Sequence, residues 1–340
     1  MKFQLSIIRD IIYEAVAHGV KLNELCRRAG LTAAELNDAD RMVDWEFAPH
    51  LWDDIVELTG DNLIGLHMGK RMRPTAYGMI GFLVQTCKDV REVLSSISQY
   101  NETFSSIYTY TLELQADKAV LYMEPDALWA AKYPTSARQA SDIGKSSAVY
   151  ILRTLTGKKI TPIHAFFSHE KMHAEGYRKI LECELTFNAP RDGLVFRRSD
   201  MDLAVLGHDV SLFSLFDNLL QEKQKQLSAG KSFSEVIRTS ILSNFKGQIP
   251  SIEIIAAHLK MHTRTFQRRL AAENLSYRSI CNDLRKELAL AIIARSDKSI
   301  AEIAELLGYA DHTSFRRAFK SWTKSLPKTV RAKASSPNSI

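Results

Sequence analysis

Two histidines four residues apart, His169 and His173, enclose Glu170 in the HExxH spacing of zinc hydrolases. On a helix, the two imidazoles would share one face and bind a zinc ion, with the glutamate as general base. The longer form of the motif has a third ligand where this chain has Lys179, a cation and a poor zinc ligand. Residues 163–167 have β-strand character, which places His169 at a strand end instead of on a helix. We therefore favour incidental surface histidines, and a zinc metallohydrolase that uses His169, Glu170 and His173 is kept as an alternative.

Two clusters of arginine and glutamine lie in the last quarter of the chain, at residues 264–268 (RTFQR) and 316–317 (RR). Arginine and glutamine form paired hydrogen bonds with guanine and adenine edges in the major groove of DNA. Residues 248–333 have 16 lysines and arginines against 8 aspartates and glutamates, whereas residues 1–247 have 29 against 31. This distribution favours a nucleic-acid partner. On charge alone, a solvated basic surface explains it equally well.

Both clusters belong to an internal repeat. Its first helix is offset by 48 residues between the copies and its second helix by 49, so the second copy has one more residue in the turn. The matching residues are Ile255, Ala256, Leu259, Phe266, Arg268 and Leu270 in the first copy, and Ile303, Ala304, Leu307, Phe315, Arg317 and Phe319 in the second. Apolar residues four apart bury one face of the first helix. The small side chain of Ala256 or Ala304 lets the second helix of the same unit cross the first closely. Each copy predicts a helix-turn-helix unit, whereas a plain basic bundle does not explain a duplication shifted only in its turn.

Local signals predict the ends of these helices and the segment between the units. Ser299 and Glu302 fit a capping box, Asp311 fits an N-cap, and Gly308 suits the left-handed conformation that ends a helix. Between the units, helical spacing of apolar residues predicts one connector helix, Ser276–Arg295, of roughly 30 Å. Successive major grooves on one face of DNA are ~34 Å apart. The connector would therefore present both recognition helices to one side of a duplex.

A helical wheel separates the buried face of each recognition helix from its open face. The predicted buried stripe consists of Phe266 and Leu270 in the first unit, and of Phe315, Phe319 and Trp322 in the second. The predicted DNA contacts on the open face are Thr263, Arg264, Gln267 and Arg268 in the first unit, and His312, Thr313, Arg316 and Arg317 in the second. Arg269 and Lys320 are expected to contact phosphates.

Residues 232–333 resemble the DNA-binding domain of the AraC/XylS family of bacterial transcription regulators. The most specific part is residues 303–327 (IAELLGYADHTSFRRAFKSWTKSLP). The family's base-facing positions then fall on Arg264, Gln267, Arg268, His312, Thr313, Arg316 and Arg317. The resemblance also implies an activator that recruits RNA polymerase. The chain departs from the family pattern at His262, where a small hydroxyl residue is usual, and at Asn274 and Lys324-Ser325, where glycine is usual.

The N-terminal half resembles the sensor domain of a subgroup of the same family, an arabinose-binding-like domain that is not a cupin barrel. Residues 59–94 and 185–205 (LTFNAPRDGLVFRRSDMDLAV) carry this resemblance. It implies a module that binds a small-molecule effector and can form a homodimer, but no effector-binding residue can be named. Five aromatic residues could line an apolar pocket, although ordinary core positions are favoured for them: Tyr77, Phe82, Tyr108, Tyr110 and Trp129.

The pattern over residues 1–220 predicts an α+β effector-binding and dimerisation domain. Its expected elements are a helical region at 1–70, helices at 135–156 and 173–183, a strand at 160–167, and hairpins that pair 111–114 with 118–123 and 184–187 with 193–197. A polar linker at 221–231 leads to the all-α domain at 232–333, which contains the two helix-turn-helix units. Residues 334–340 are expected to form a disordered tail.

Several classes of protein are excluded. No apolar run is long enough for a transmembrane helix, and Arg9, Asp10 and Glu14 interrupt the apolar start, which argues against a signal peptide. The four cysteines have no CxxC spacing, which favours buried thiols in a reducing compartment. No phosphate-binding or nucleophile-elbow motif is present, so we expect no enzyme, cofactor or bound metal.

The sequence as a whole predicts a cytoplasmic regulator that binds double-stranded promoter DNA and responds to an effector. A nonspecific DNA-binding protein is the other alternative.

Overall fold

The structure, a computed structural model, describes residues 2–32, 34–37, 41–44, 46–47, 50–229, 232–244, 249–295 and 298–334. They form two compact units. The N-terminal unit comprises Met1–Pro125 and Tyr133–Ala229, and the C-terminal unit comprises Asp126–Lys132 and Gly230–Ile340. The first unit is α+β and the second is all-α, which confirms the predicted fold class.

The helices and strands of the described residues are numbered in chain order. The helices are α1 (Leu5–Ala17), α2 (Leu22–Arg28), α3 (Leu51–Thr59), α4 (Ile64–Gly69), α5 (Met79–Thr86), α6 (Val90–Gln99), α7 (Ala127–Lys132), α8 (Pro134–Thr156), α9 (Ala174–Leu181), α10 (Val210–Ala229), α11 (Phe233–Asn244), α12 (Ile252–His258), α13 (Thr263–Ala272), α14 (Tyr277–Arg295), α15 (Ile300–Leu306), α16 (His312–Thr323) and α17 (Pro327–Ala334). The strands are β1 (Lys2–Gln4), β2 (Met42–Asp44), β3 (Tyr108–Leu114), β4 (Lys118–Pro125), β5 (His164–Phe166), β6 (Glu184–Thr186) and β7 (Gly193–Arg197).

The domain boundaries inferred from the sequence stay predictions. Within the expected linker at 221–231, residues up to 229 are helical, as the end of α10. The expected disordered tail at 334–340 lies outside the described residues, apart from Ala334 at the end of α17.

The N-terminal unit is built on a five-stranded sheet with the strand order β3-β4-β7-β5-β6. β3 and β4 form the predicted hairpin, with Tyr110 opposite Met123. β5 and β6 are parallel and are joined through α9, whereas the other neighbours are antiparallel. Side chains alternate between the faces of a strand, so Leu121 and Met123 enter the core while Tyr122 lies on the opposite face.

Three sequence predictions for this unit are wrong in part. Residues 1–70 are not helical throughout, because β1 and β2 pair as a small antiparallel sheet. The strand expected over 160–167 is limited to β5. The second predicted hairpin does not form, because β5 lies between β6 and β7. Period-two patterning identifies a strand but does not identify its partner. The predicted helices at 135–156 and 173–183 are confirmed as α8 and α9.

Two apolar clusters form the core of the N-terminal unit. The first includes Leu5 and Ile12 from the buried face of α1, and the second includes Phe196 from the sheet. α8 packs into both, since Ile143 belongs to the first cluster and Val149 to the second. The four cysteines of the chain are free thiols, of which three are buried and one is half-buried.

A charged pair is buried between α8 and the turn before β7. Lys145 is 0% exposed and Asp192 is 2% exposed. The Lys145 Nζ atom donates to Asp192 Oδ1 at 2.7 Å, and Ser141 Oγ donates to the same oxygen at 2.9 Å. The backbone N–H and the hydroxyl of Ser168 donate to the other carboxylate oxygen. Burial raises the pKa of Asp192, but the charge of Lys145 and these hydrogen bonds outweigh burial and hold the pKa below its ordinary value.

Lys145→Met should destabilise the N-terminal unit by about 3–5 kcal/mol, because the Asp192 carboxylate is then buried without its counter-ion. Lys179→Met, a control at an exposed lysine of the same unit, should change the free energy of unfolding by less than about 0.5 kcal/mol. Urea titration followed by circular dichroism measures both changes. Equal stability of the two variants would contradict a stabilising role of the Lys145–Asp192 pair.

In the parent protein, the contribution of the Lys145–Asp192 pair to stability should be complete at neutral pH and lost as the pH falls through the lowered pKa of Asp192.

Candidate nucleic-acid interface

The C-terminal unit contains two helix-turn-helix pairs, α12 with α13 and α15 with α16. The first helices begin 48 residues apart, at 252 and 300, and the second helices begin 49 residues apart, at 263 and 312. The first turn therefore has four residues, 259–262, and the second has five, 307–311. This arrangement confirms the predicted repeat with its longer second turn.

Aromatic packing fixes the two recognition helices, α13 and α16, in their units. Phe266 and Phe315 are both 0% exposed. The ring of Phe266 meets Phe233 at 5.2 Å and Tyr277 at 5.7 Å between centroids, and Phe315 meets Tyr309 at 5.5 Å. The predicted buried residues Leu270 and Phe319 are buried as well, whereas Trp322 is half-buried. With one face of each helix fixed in this way, the opposite face is directed away from the core.

The predicted helix caps of the second unit are confirmed. Ser299 and Glu302 form a reciprocal capping box at the start of α15. Asp311 Oδ1 accepts a hydrogen bond from the N–H of Ser314 at 2.8 Å at the start of α16, and such backbone hydrogen bonds lower the pKa of Asp311. In the first unit, His262 precedes α13 without a side-chain capping bond. α13 therefore begins with one fewer satisfied N–H group than α16.

Among the described residues of this unit, three that are not glycine have left-handed backbone conformations. Lys260 has φ +53° in the first turn, where the repeat places Gly308 with φ +75° in the second. Asn274 and Lys324, with φ +56° and +58°, follow α13 and α16. Asn274 and Lys324 are also two of the positions where the family pattern usually has glycine. The chain thus departs from that pattern in residue type while keeping the conformation that glycine favours.

The predicted DNA contacts lie together on the open faces of α13 and α16. Thr263 is half-buried, and the exposed ones are Arg264, Gln267, Arg268, His312, Thr313, Arg316 and Arg317. Neither helix has an acidic residue. Within the part of the chain that the structure describes, no ion pair or side-chain hydrogen bond occupies the four arginines of this set. Their guanidinium groups are available as donors to an external acceptor.

The two predicted phosphate contacts differ in their surroundings. Lys320 is exposed on the same face of α16 as the predicted base contacts. Arg269 is exposed on the other flank of α13, with its guanidinium carbon 5.0 Å from the centre of the Phe233 ring. Arg269 is therefore partly engaged in packing α11 against α13.

The connector is a single helix, α14, and begins one residue after the predicted start. Its buried residues form one stripe: Ile280, Cys281, Leu284, Leu288, Ala289 and Ile293. The Tyr277 hydroxyl donates to the carbonyl of Pro250 at 2.8 Å, which ties the start of α14 to the residue before the first unit. At the other end, Arg331 of α17 donates through Nε to the carbonyl of Ile293 in α14 at 3.4 Å. Both ends of the connector are thus fixed to neighbouring segments.

The start of α11 has a capping interaction that the sequence did not predict. The Glu273 carboxylate accepts hydrogen bonds from the N–H groups of Phe233 and Ser234 at the start of α11. Its bonds to Ser234 lower the pKa of Glu273. The partners are about forty residues apart in the chain, so no local sequence signal could have identified the pair.

The residues of the HExxH match do not form a metal site. They lie between β5 and α9, so the two histidines do not share a helical face. His173 is exposed, whereas His169 packs against Phe167 and lies 3.5 Å from a carboxylate oxygen of Asp142. The expectation of incidental surface histidines is therefore wrong for His169, which packs against the core. Among the described residues, no cluster of three histidine, cysteine or acidic side chains could hold a metal ion.

The paired helix-turn-helix units and their exposed arginines define a DNA-binding protein. A family model described as "Arabinose-binding domain of AraC transcription regulator, N-term" matches residues 19–205, and one described as "Helix-turn-helix domain" matches residues 255–333. The chain belongs to the AraC family of transcription regulators.

Relatives over most of the chain include two proteins of Pseudomonas aeruginosa. The ornithine utilization regulator is 23% identical, over 97% of this chain and 99% of its own length. The regulator VqsM is 24% identical, over 76% of this chain and 80% of its own length. The crystal structure of CdpR from the same organism covers 91% of this chain and 96% of its own, with 21% identity and a TM-score of 0.44. The two family models together identify this chain as a DNA-binding transcription regulator. In the part of the chain that the structure describes, no helix has the length and apolar character to cross a membrane.

Lys260→Gly should stabilise the C-terminal unit by about 1 kcal/mol, because glycine adopts the left-handed conformation without steric cost. Gly308→Ala is the matched control in the other turn and should destabilise the unit by about 1 kcal/mol. An added Cβ at Gly308 would meet nothing within 4 Å, so the effect there is conformational alone. Thermal unfolding measures both variants. A loss of stability in Lys260→Gly would contradict the strain assigned to this turn.

Proposed function

We propose that this regulator recognises its promoter by sequence, with α13 and α16 in the major groove. The proposed base contacts are Arg264, Gln267, Arg268, His312, Thr313, Arg316 and Arg317, with Thr263 beside them. One observation carries the proposal: exposed arginine and glutamine side chains, with no ion pair among the described residues, lie on two helices that lack carboxylates. Such side chains suit base edges, and the absence of acidic residues favours approach to phosphates.

The connector supports simultaneous binding of both helices. α14 has 19 residues and so is about 28 Å long at ~1.5 Å per residue. Successive major grooves on one face of a duplex are ~34 Å apart. Lys320 is proposed as a phosphate contact on the open face of α16. Arg269 is proposed as a phosphate contact that reaches the backbone from the flank of α13.

The N-terminal unit is proposed to control this binding through a small-molecule effector. Membership in a family whose N-terminal model is an arabinose-binding domain supports this role. By the same family resemblance, we propose that the protein acts in the cytoplasm as a homodimeric activator that recruits RNA polymerase. A promoter-reporter assay with and without the chain distinguishes activation from repression.

Genomic fragments selected by the purified full-length protein should share a motif with two half-elements about one helical turn apart. A regulator of this kind should prefer its site over other duplexes by roughly 10³ or more. Competition binding at fixed salt concentration measures the preference. Fragments without a shared motif, in the presence as well as the absence of cell extract, would contradict sequence-specific recognition and favour nonspecific binding.

Arg268→Ala and Arg317→Ala should each weaken binding to the selected site by about 1–3 kcal/mol and relax the preference at one base position. Arg27→Ala removes an exposed arginine of the N-terminal unit and is the charge-matched control. Lys320→Ala should weaken binding to all duplexes alike. It should also reduce the slope of log binding constant against log salt concentration by about one, because one phosphate contact is lost. If Arg268→Ala and Arg317→Ala bound like the control, the proposed base contacts would be wrong.

A further inference from the structure

The short helix α7 belongs to the C-terminal unit, although the chain on both sides of it belongs to the N-terminal unit. β4 ends at Pro125, directly before this segment, and α8 begins directly after Tyr133. The chain therefore passes from one unit to the other at three places: after Pro125, after Lys132 and after Ala229. The DNA-binding domain predicted at 232–333 thus lacks one helix of the C-terminal unit.

Apolar side chains pack α7 into the C-terminal unit, where it lies against α14 and α11. Leu128 and Trp129 are only 7% and 5% exposed, and neither belongs to the two apolar clusters of the N-terminal unit. A tryptophan buries roughly 150–250 Å² of surface, which is a large contact for a helix of six residues. Trp129, for which the sequence favoured an ordinary core position, is therefore a core residue of the C-terminal unit.

Polar interactions fix the start of α7. Asp126 Oδ1 accepts hydrogen bonds from the N–H groups of Leu128 and Trp129, both at 3.0 Å. Asp126 is buried, and burial raises its pKa to about 6, although these hydrogen bonds and the positive charge of Arg238 in α11 oppose the rise. Arg238 also forms an ion pair with Glu287 of α14. The charge of one arginine thus acts both on the start of α7 and on α14.

The connections of α7 to the N-terminal unit are short and stiff. Asp126 alone separates β4 from α7, and Tyr133 alone separates α7 from α8. Pro125 precedes the first connection and Pro134 follows the second, and a proline ring fixes φ near about −65°. Pro125 is also paired with Tyr108 in the sheet. Because one residue cannot absorb a large movement, a displacement of β4 or of α8 also displaces an end of α7.

We propose that α7 couples the N-terminal unit to DNA binding: a change in the spacing of β4 and α8 moves α7, and α7 changes the packing of α14, which supports both recognition helices. The inference deepens the proposed effector control and rests on it. β4 and α8 respond together to a change in the core of the N-terminal unit, because Leu121 and Val149 belong to the same apolar cluster. Such a change reaches α14 through the covalent chain.

Hydrogen exchange of the full-length protein without DNA tests the packing of α7. Trp129→Ala should speed the exchange of the α14 amides by at least about 10-fold, because α14 loses a buried contact. Asp126→Ala removes the two capping bonds and should speed it by about 3- to 10-fold, which keeps the test available where Trp129→Ala does not fold. Asp126→Asn retains the accepting oxygen and is the matched control without an effect on α14. Unchanged exchange of α14 in Asp126→Ala and Trp129→Ala would overturn the inference.

A double-mutant cycle on affinity for the selected promoter fragment tests the coupling. Lys145→Met disturbs α8 and should weaken DNA binding by at least about 3-fold in the parent, but not in a protein that already has Trp129→Ala. Ser141→Ala disturbs the same buried pair more mildly and replaces Lys145→Met if that variant does not fold. Lys179→Met, at an exposed lysine, should change the affinity in neither background. Equal effects in the two backgrounds, or no effect of Lys145→Met in the parent, would overturn the coupling.

A separate measurement distinguishes this inference from effector control. A low-molecular-mass extract of cells is added to the full-length protein, and the change in affinity for the same fragment is measured. A response of the parent that is lost in Trp129→Ala supports both proposals. A response that persists in Trp129→Ala overturns the role of α7 and leaves effector control standing. Coupling between Lys145 and Trp129 without any response to the extract supports α7 and contradicts effector control.

Discussion

Packing against α14 is the interaction on which the DNA-contacting surface depends. α12 and α15 have seven residues each, and isolated helices of that length are not stable in water. Their order comes from burial of apolar side chains shared with the connector, as where Tyr277 of α14 meets the edge of Phe266. In the second unit, Arg285 of α14 lies over the ring of Tyr309, which itself contacts Phe315. Because both units pack on the same helix, neither recognition helix can turn relative to the other unless α14 bends or its contacts break.

α8 has a comparable role in the N-terminal unit. One part of its surface contains Ser141 and Lys145, which bind Asp192. Another part contains Gly144 and Ala148, which line a cavity of about 50 Å³ between α8 and the sheet. The buried charge pair fixes the rotation of the helix about its axis, because a geometry in which Lys145 missed its carboxylate would leave two buried charges unpaired. That rotation directs Gly144 and Ala148 at the sheet. The Lys145–Asp192 pair thus determines the shape of the apolar cavity between α8 and the sheet, although neither residue lines it.

The sequence predicted the C-terminal unit more completely than the N-terminal one for a physical reason. Helix caps, turns and apolar stripes depend on neighbours in the chain, so the Ser299–Glu302 box and the extra residue in the second turn could be predicted from local patterns. Strand order depends on distant partners, and the insertion of β5 between β6 and β7 had no local signal. The carboxylate of Asp192 and its lysine are 47 residues apart. A cavity is even harder to predict from sequence, because it arises where two surfaces from distant parts of the chain do not fit each other.

Complete burial also changes the chemistry of an amine. Lys145 is 0% exposed, and its Nζ atom is enclosed by Asp192, Ser141 and the ring of Phe167 at 4.5 Å. An acylating reagent or an acetyltransferase needs a free, accessible amine, so this lysine is protected for as long as the N-terminal unit is folded. α8 lies entirely in that unit. Acylation of Lys145 therefore records the opening of the sensor unit separately from any event in the DNA-binding unit.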